Sequence, residues 1–131
     1  MFPPESLTLA VVDDDDDVRT ALSRLLRAIG HQVRLFASAE EFEAEDIAVD
    51  CVIADVRLPG LSGLELRERL RARNRHAPIV LITGDGDRLV RDVGSTIDTP
   101  LLTKPFDADV LADAIAAAMS MSTPPPDRHA Y

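Results

Sequence analysis

Five short apolar stretches recur along the chain, separated by helix-patterned sequence: LTLAVV (7–12), HQVRLF (31–36), CVIA (51–54), PIVLIT (78–83) and PLLT (100–103). The first, third and fourth are nearly continuous hydrophobic runs, as expected of strands in a parallel sheet covered on both faces. Between them, Val18, Ala21, Leu22, Leu25, Leu26 and Ile29 recur at helical spacing and stop at Gly30. Ser38 followed by Glu41 is a capping-box signature opening a short second helix with Phe42 on its inner face. Leu64, Leu66 and Leu70 predict a third helix after the turn PGLSG, with Arg and Glu on its wet side. A short fourth helix is expected near 87–93, closed by Gly94. A fifth, capped by Asp107, carries Val110, Leu111, Ala114, Ile115, Ala118 and Met119. Strands alternating with helices in this way predict an α/β fold with right-handed crossovers and helices on both sheet faces.

The 131 residues suffice for one domain and one core, expected over 1–121, followed by a Pro-rich flexible tail at 122–131. A formal charge of -9 argues against a nucleic-acid-binding surface, since phosphate binding relies on Lys and Arg releasing counterions. A cation or a basic protein face is the expected partner. The N-terminus has no positively charged leader, and nowhere do 18 apolar residues run together, so a cytoplasmic protein away from membranes is expected. Cys51, the single cysteine, sits in the apolar run VDCVIAD and reads as a small buried hydrophobe.

In such folds the site lies outside the carboxyl ends of the strands. Asp13 and Asp14 follow the first strand, Asp55 the third, Thr83 the fourth and Lys104 the fifth. Two carboxylates about 4 Å apart repel by about 4 kcal/mol at an effective dielectric near 20, so the run Asp13 to Asp17 needs either open water or a cation. Three carboxylates, a hydroxyl and an ammonium suit Mg2+, a hard ion that prefers oxygen ligands. Asp15, Asp16 and Asp17 have a structural explanation: they open the first helix, where side-chain oxygens cap free N–H groups and negative charge suits the dipole.

VVDDDDDVR, VIADVRLPGLSGLEL, IVLITG and LLTKPF, in this order between about residues 6 and 120, resemble the signature stretches of the two-component response regulator receiver domain. The flavour is nearest to receivers of nitrogen-fixation-type regulators. The resemblance implies a flavodoxin-like (CheY-like) doubly wound sheet of five parallel strands in the order 2-1-3-4-5, with a short or irregular fourth helix. It implies that Asp55 is the phosphoacceptor and that Asp13, Asp14, Asp55 and the backbone carbonyl of Arg57 hold Mg2+, with Mn2+ as an alternative. Lys104 then contacts the phosphoryl group and Thr83 acts as the switch. A sensor histidine kinase or histidine phosphotransfer protein supplies the phosphoryl group, and a downstream protein reads the result. The domain is then a signalling phosphoprotein, monomeric or forming a phosphorylation-linked dimer, that can phosphorylate itself from small phosphodonors and dephosphorylate itself. Pro59 and Gly63 fit the turn after the acceptor strand, Gly84 a close backbone approach, and Lys104-Pro105 a cis peptide.

The chain departs from the family pattern in two places. Leu101 stands three positions before Lys104, where an aromatic residue is usual, and Gly94 comes early, followed by STIDTP. Output is therefore expected through a rearranged loop at 84–100, while Arg57 and Asp85, each two residues beyond a site residue, overhang the phosphoryl group. Asp14, Asp16 and Val18 also satisfy the D-x-D-x-V pattern of haloacid dehalogenase-like phosphatases, but that reading leaves Asp55 unexplained. A third reading keeps the fold for protein binding without phosphorylation. A protein standing alone is expected, and any DNA-binding output domain would lie outside this sequence. His31, His76 and His129 share no metal-ligand spacing and read as surface or strand-end residues, not phosphodonors.

Overall fold

A computed structural model describes residues 6–72, 78–84, 99–104 and 106–122. In chain order the elements are β1 (Thr8–Val12), α1 (Asp16–Ile29), β2 (Gln32–Phe36), α2 (Ala39–Glu45), β3 (Cys51–Asp55), α3 (Gly63–Ala72), β4 (Ile79–Thr83), β5 (Leu101–Thr103) and α4 (Ala108–Ser122). The five strands form one parallel sheet in the order β2-β1-β3-β4-β5, as expected. Val11 of β1 lies between Leu35 of β2 and Ile53 of β3.

Alternate residues of a strand point to opposite faces, and here both faces are covered, so both sets are apolar. Leu9 and Val11 enter a core with Leu22 and Leu26 of α1 and Leu111 and Ile115 of α4. Ala10 and Val12 enter the other, with Phe42 of α2 and Leu66 and Leu70 of α3. Each large aliphatic side chain buried in this way contributes about 1.5–3 kcal/mol. Phe36 and Phe42 meet edge to face, centroids 5.3 Å apart, and tie β2 to α2.

The helix ends follow local chemistry. Asp15 is the N-cap of α1, accepting from the N–H groups of Asp17 and Val18, with Asp16 and Asp17 in the first turn. Gly30 ends that helix at φ 114°, a left-handed conformation that favours glycine. Ser38 caps α2 by accepting from Glu41 N–H at 3.1 Å, while the Glu41 carboxylate reaches back to Ala37 N–H. Asp107 caps α4 through Val110 N–H at 2.9 Å.

Two residues sit differently from expectation, and a third takes one of its two expected places, at a strand end. Gly63 is the first residue of α3 and not part of a turn; the turn belongs to Gly60, at φ 75°. Arg67, expected on the wet side of α3, is buried. His31, just before β2, is buried as well, and its Nδ1 accepts from Leu7 N–H at 3.2 Å. Burial pushes its pKa down, against an opposing pull from Asp50, which favours the neutral ring that this bond needs. The expected helix at 87–93, the close of that helix at Gly94, Asp85, His76, His129, the peptide bond to Pro105 and residues 123–131 of the tail lie outside the described residues. Among the described residues no helix is long and apolar enough to cross a membrane.

Candidate functional site

Because Val12 pairs with Ala54 in adjacent parallel strands, the residues that follow each, Asp13 and Asp55, emerge side by side at the carboxyl edge of the sheet. Asp13 extends the ladder by donating its N–H to the Phe36 carbonyl at 3.1 Å, and its side chain is buried at 1% exposure. Its Oδ1 accepts from Asp15 N–H at 2.9 Å, whereas Oδ2 is buried with no hydrogen-bond partner among the described residues. Asp55 closes β3; its Oδ1 accepts from Arg57 N–H at 2.8 Å and its Oδ2 from Lys104 Nζ at 3.4 Å. Asp14 stands beside them in the open, and carboxylate oxygens of Asp13, Asp14 and Asp55 lie within 4.8 Å of one another.

Burial pushes the Asp13 carboxyl up to about 6, the Asp15 N–H bond opposes this, the neighbouring Asp55 charge adds to it, and Lys104 again opposes it. A buried carboxylate oxygen with no donor among the described residues, facing two further carboxylates, fits a hard divalent cation with oxygen ligands. Asp13, Asp14 and Asp55 are thus the residues able to hold Mg2+. Thr83 closes β4, is buried, and donates its hydroxyl to the Gly84 carbonyl at 3.2 Å. Its own carbonyl accepts from Lys104 N–H at 2.9 Å. Asp13, Asp14, Asp55 and Lys104 therefore meet directly, with Thr83 at the adjoining strand end.

Several supporting roles are not visible in the sequence. A Cβ on Gly63 would lie 2.3 Å from the Asp55 carbonyl oxygen, so only glycine lets α3 begin against the acceptor strand. Ser62 and Glu65 form a reciprocal capping box, at 3.1 and 3.0 Å, hidden inside the turn-like string PGLSG. Glu40 of α2 accepts from Leu61 N–H at 2.9 Å and holds the loop after Asp55, a bond that lowers the pKa of its carboxyl. Arg19 donates to the Asp13 carbonyl and pairs with Asp16. Asp16 is thereby committed to the first turn of α1 and stands apart from the buried cluster, which removes the D-x-D-x-V phosphatase reading. No described atom lies within 4 Å of a Cβ placed on Gly84. Cys51 is buried in the apolar core and its thiol is pushed up to about 12, chiefly by burial, which makes it inert.

A family model described as the response regulator receiver domain matches residues 9–116. The chain is 39% identical over 122 residues to the transcriptional regulatory protein FixJ of Azorhizobium caulinodans, covering 91% of this chain and 58% of that protein. It is 42% identical over 113 residues to nodulation protein W of Bradyrhizobium diazoefficiens, covering 82% and 49% respectively. The chain thus spans about half the length of the curated relatives it matches. Among solved structures, the crystal structure of FixJ-N superposes with a TM-score of 0.79 at 31% identity, covering 88% of this chain and 95% of that one. A response regulator structure from Chloroflexus aurantiacus superposes with a TM-score of 0.78 at 32% identity, covering 88% and 99%.

Proposed function

The chain belongs to the response regulator receiver domain family of two-component signal transduction, and we propose that Asp55 is its phosphoacceptor. An Asp55 carboxylate oxygen attacks the phosphorus of a phosphohistidine on a partner kinase or phosphotransfer protein. The P–N bond breaks, the histidine nitrogen keeps the electron pair and takes up a proton, and the phosphoryl group remains as an aspartyl phosphate.

The observation that carries this reading is the convergence on Asp55: two further carboxylates within 4.8 Å on one side and the Lys104 ammonium at 3.4 Å on the other. Phosphoryl transfer relies mostly on positioning and charge neutralisation. Asp13, Asp14, Asp55 and the carbonyl of Arg57 would hold Mg2+, or Mn2+ in its place, which would supply charge neutralisation at the phosphoryl oxygens. Arg57 N–H and Lys104 orient the acceptor carboxylate, one oxygen each. Thr83 supplies the hydroxyl that turns towards the new phosphoryl group, a local charge event that biases a two-state element.

The domain acts as a signalling phosphoprotein in the cytoplasm, with the kinase and a downstream protein as its partners. FixJ of Azorhizobium caulinodans is named a transcriptional regulatory protein. We extend a role in regulating transcription to this chain, with any contact to nucleic acid made by parts other than this acidic domain. Incubation with acetyl phosphate and Mg2+, wild type beside Asp55→Asn, tests the reading. One added phosphoryl mass that requires both Asp55 and the metal supports it. A folded chain that binds Mg2+ yet gains no mass, even at short times, favours a receiver kept for protein binding alone.

A further inference from the structure

α3 buries Gly63, Leu66, Arg67 and Leu70, the i, i+3, i+4, i+7 stripe that a helix turns towards a core. Three of these are small or apolar; the fourth is a guanidinium on a residue only 5% exposed. Burying a charge is unfavourable unless it is paired and hydrogen-bonded. Arg67 donates from Nε to the Thr99 hydroxyl, 32 residues along the chain, and from Nη1 to Glu68.

Thr99 immediately precedes Pro100, whose carbonyl accepts from Leu81 N–H at 3.0 Å, and then β5. That strand has three residues and lies at the sheet edge, paired among the described residues only to β4. So short an edge strand has few ladder bonds to set its position. Its far end leads to Lys104, which meets Asp55, and its near end is tied by Arg67 to a helix that begins against the Asp55 carbonyl. Both ends of β5 are thus referred back to the acceptor residue.

We infer that Arg67 is a positioning residue: by gripping Thr99 it sets where β5 lies and so where Lys104 stands against Asp55. Its part in phosphoryl acceptance rests on the receiver reading above, whereas the grip on β5 is a property of the protein before any phosphorylation. The route also bypasses Leu101, which has neither ring nor hydroxyl.

The test compares amide hydrogen exchange in the full chain for wild type, Arg67→Leu, Arg67→Lys and Thr99→Val, alongside global stability in denaturant. The amide of Lys104, bonded to the Thr83 carbonyl, reports β5, and that of Asp13, bonded to the Phe36 carbonyl, reports the other side of the sheet. Arg67→Leu keeps an apolar side chain in the stripe, so the variant still unfolds cooperatively in denaturant. Exchange at Lys104 nonetheless accelerates about tenfold or more while Asp13 is unchanged, the change a local opening of about 1.4 kcal/mol produces. Thr99→Val gives the same pattern, the double variant adds nothing further, and Arg67→Lys restores part of the protection, since an ammonium lacks the planar fork. Acetyl phosphate modifies Asp55 more slowly in Arg67→Leu than in wild type. Unchanged exchange at Lys104, or equal acceleration at both amides, overturns the inference. Failure of the wild type to accept any phosphoryl group overturns the phosphoacceptor reading instead, and the exchange comparison still decides the grip on β5.

Discussion

Lys104 Nζ lies 3.4 Å from Asp55 Oδ2, although the two residues are 49 positions apart in the chain. Lys104 is also the only lysine in the sequence. A side chain that could neutralise any surface carboxylate is spent on this one, because β3, β4 and β5 deliver both residues to the same edge of the sheet.

That pairing makes Lys104 directly measurable. Removing one donor that stabilises transition-state charge typically slows a reaction by about a hundredfold or more. Lys104→Met should therefore reduce the rate of Asp55 modification by acetyl phosphate by about that factor. Its secondary structure by circular dichroism and its Mg2+ binding should persist. Reductive 13C-methylation labels this single side-chain amine together with the α-amino group, and the Lys104 signal should move on addition of Mg2+ and beryllofluoride. A signal that stays in place argues against contact with the acceptor.

Asp13 gives a prediction of opposite sign for stability and for function. Its carboxyl is raised from 3.8 to about 6 in the folded protein, chiefly by burial. The folded state therefore holds a proton that the unfolded state releases, and without metal the contribution of this group to stability falls as pH rises from about 4 to about 6. At one pKa unit per 1.4 kcal/mol, the penalty at neutral pH is about 3 kcal/mol. Asp13→Asn keeps an oxygen for Asp15 N–H and removes the charge, so in EDTA at pH 7 it should be more stable than wild type by about 1–3 kcal/mol in urea melts. The same variant should lose Mg2+ binding. Lower stability of Asp13→Asn in EDTA would contradict the account.

The same proton competes with the metal. Mg2+ affinity, followed by calorimetry, should be level above about pH 6 and weaken by about tenfold per unit below it, as one carboxyl must be deprotonated for binding. An affinity independent of pH between 5 and 7 would mean that Asp13 is not a ligand.

Gly63 and Gly84 flank the site and should answer differently. Gly63→Ala drives a Cβ to 2.3 Å from the backbone of Asp55, which cannot yield as a flexible side chain does. Overpacking of this kind costs about 1–3 kcal/mol, seen as a melting temperature lowered by several degrees. Gly84→Ala meets no described atom and should leave the melting temperature within a degree or so of wild type.

Much of this architecture was legible because it depends on periodicity. The buried runs of β1, β3 and β4, and the caps at Ser38 and Asp107, follow rules that operate within a few residues. The cluster of Asp13, Asp14, Asp55 and Lys104 followed from the edge to which a parallel sheet brings its strand ends. What escaped depends on contacts between distant segments. Arg67 breaks the expectation that a helix turns its arginines outward, and only the position of Thr99 explains it. Gly63 resembles a turn residue in sequence, but its requirement comes from the Asp55 carbonyl. The burial of Asp13, against the exposure of Asp14, depends on how far β2 and β3 extend on either side, which neighbouring aspartates in a string cannot reveal.

The most direct measurement of the central claim identifies which aspartate carries the phosphoryl group. After treatment with acetyl phosphate and Mg2+, borohydride reduction converts an aspartyl phosphate to homoserine, and peptide mass mapping locates it. The account predicts homoserine at position 55, absent when EDTA replaces Mg2+. Homoserine at Asp13 or Asp14 would contradict it.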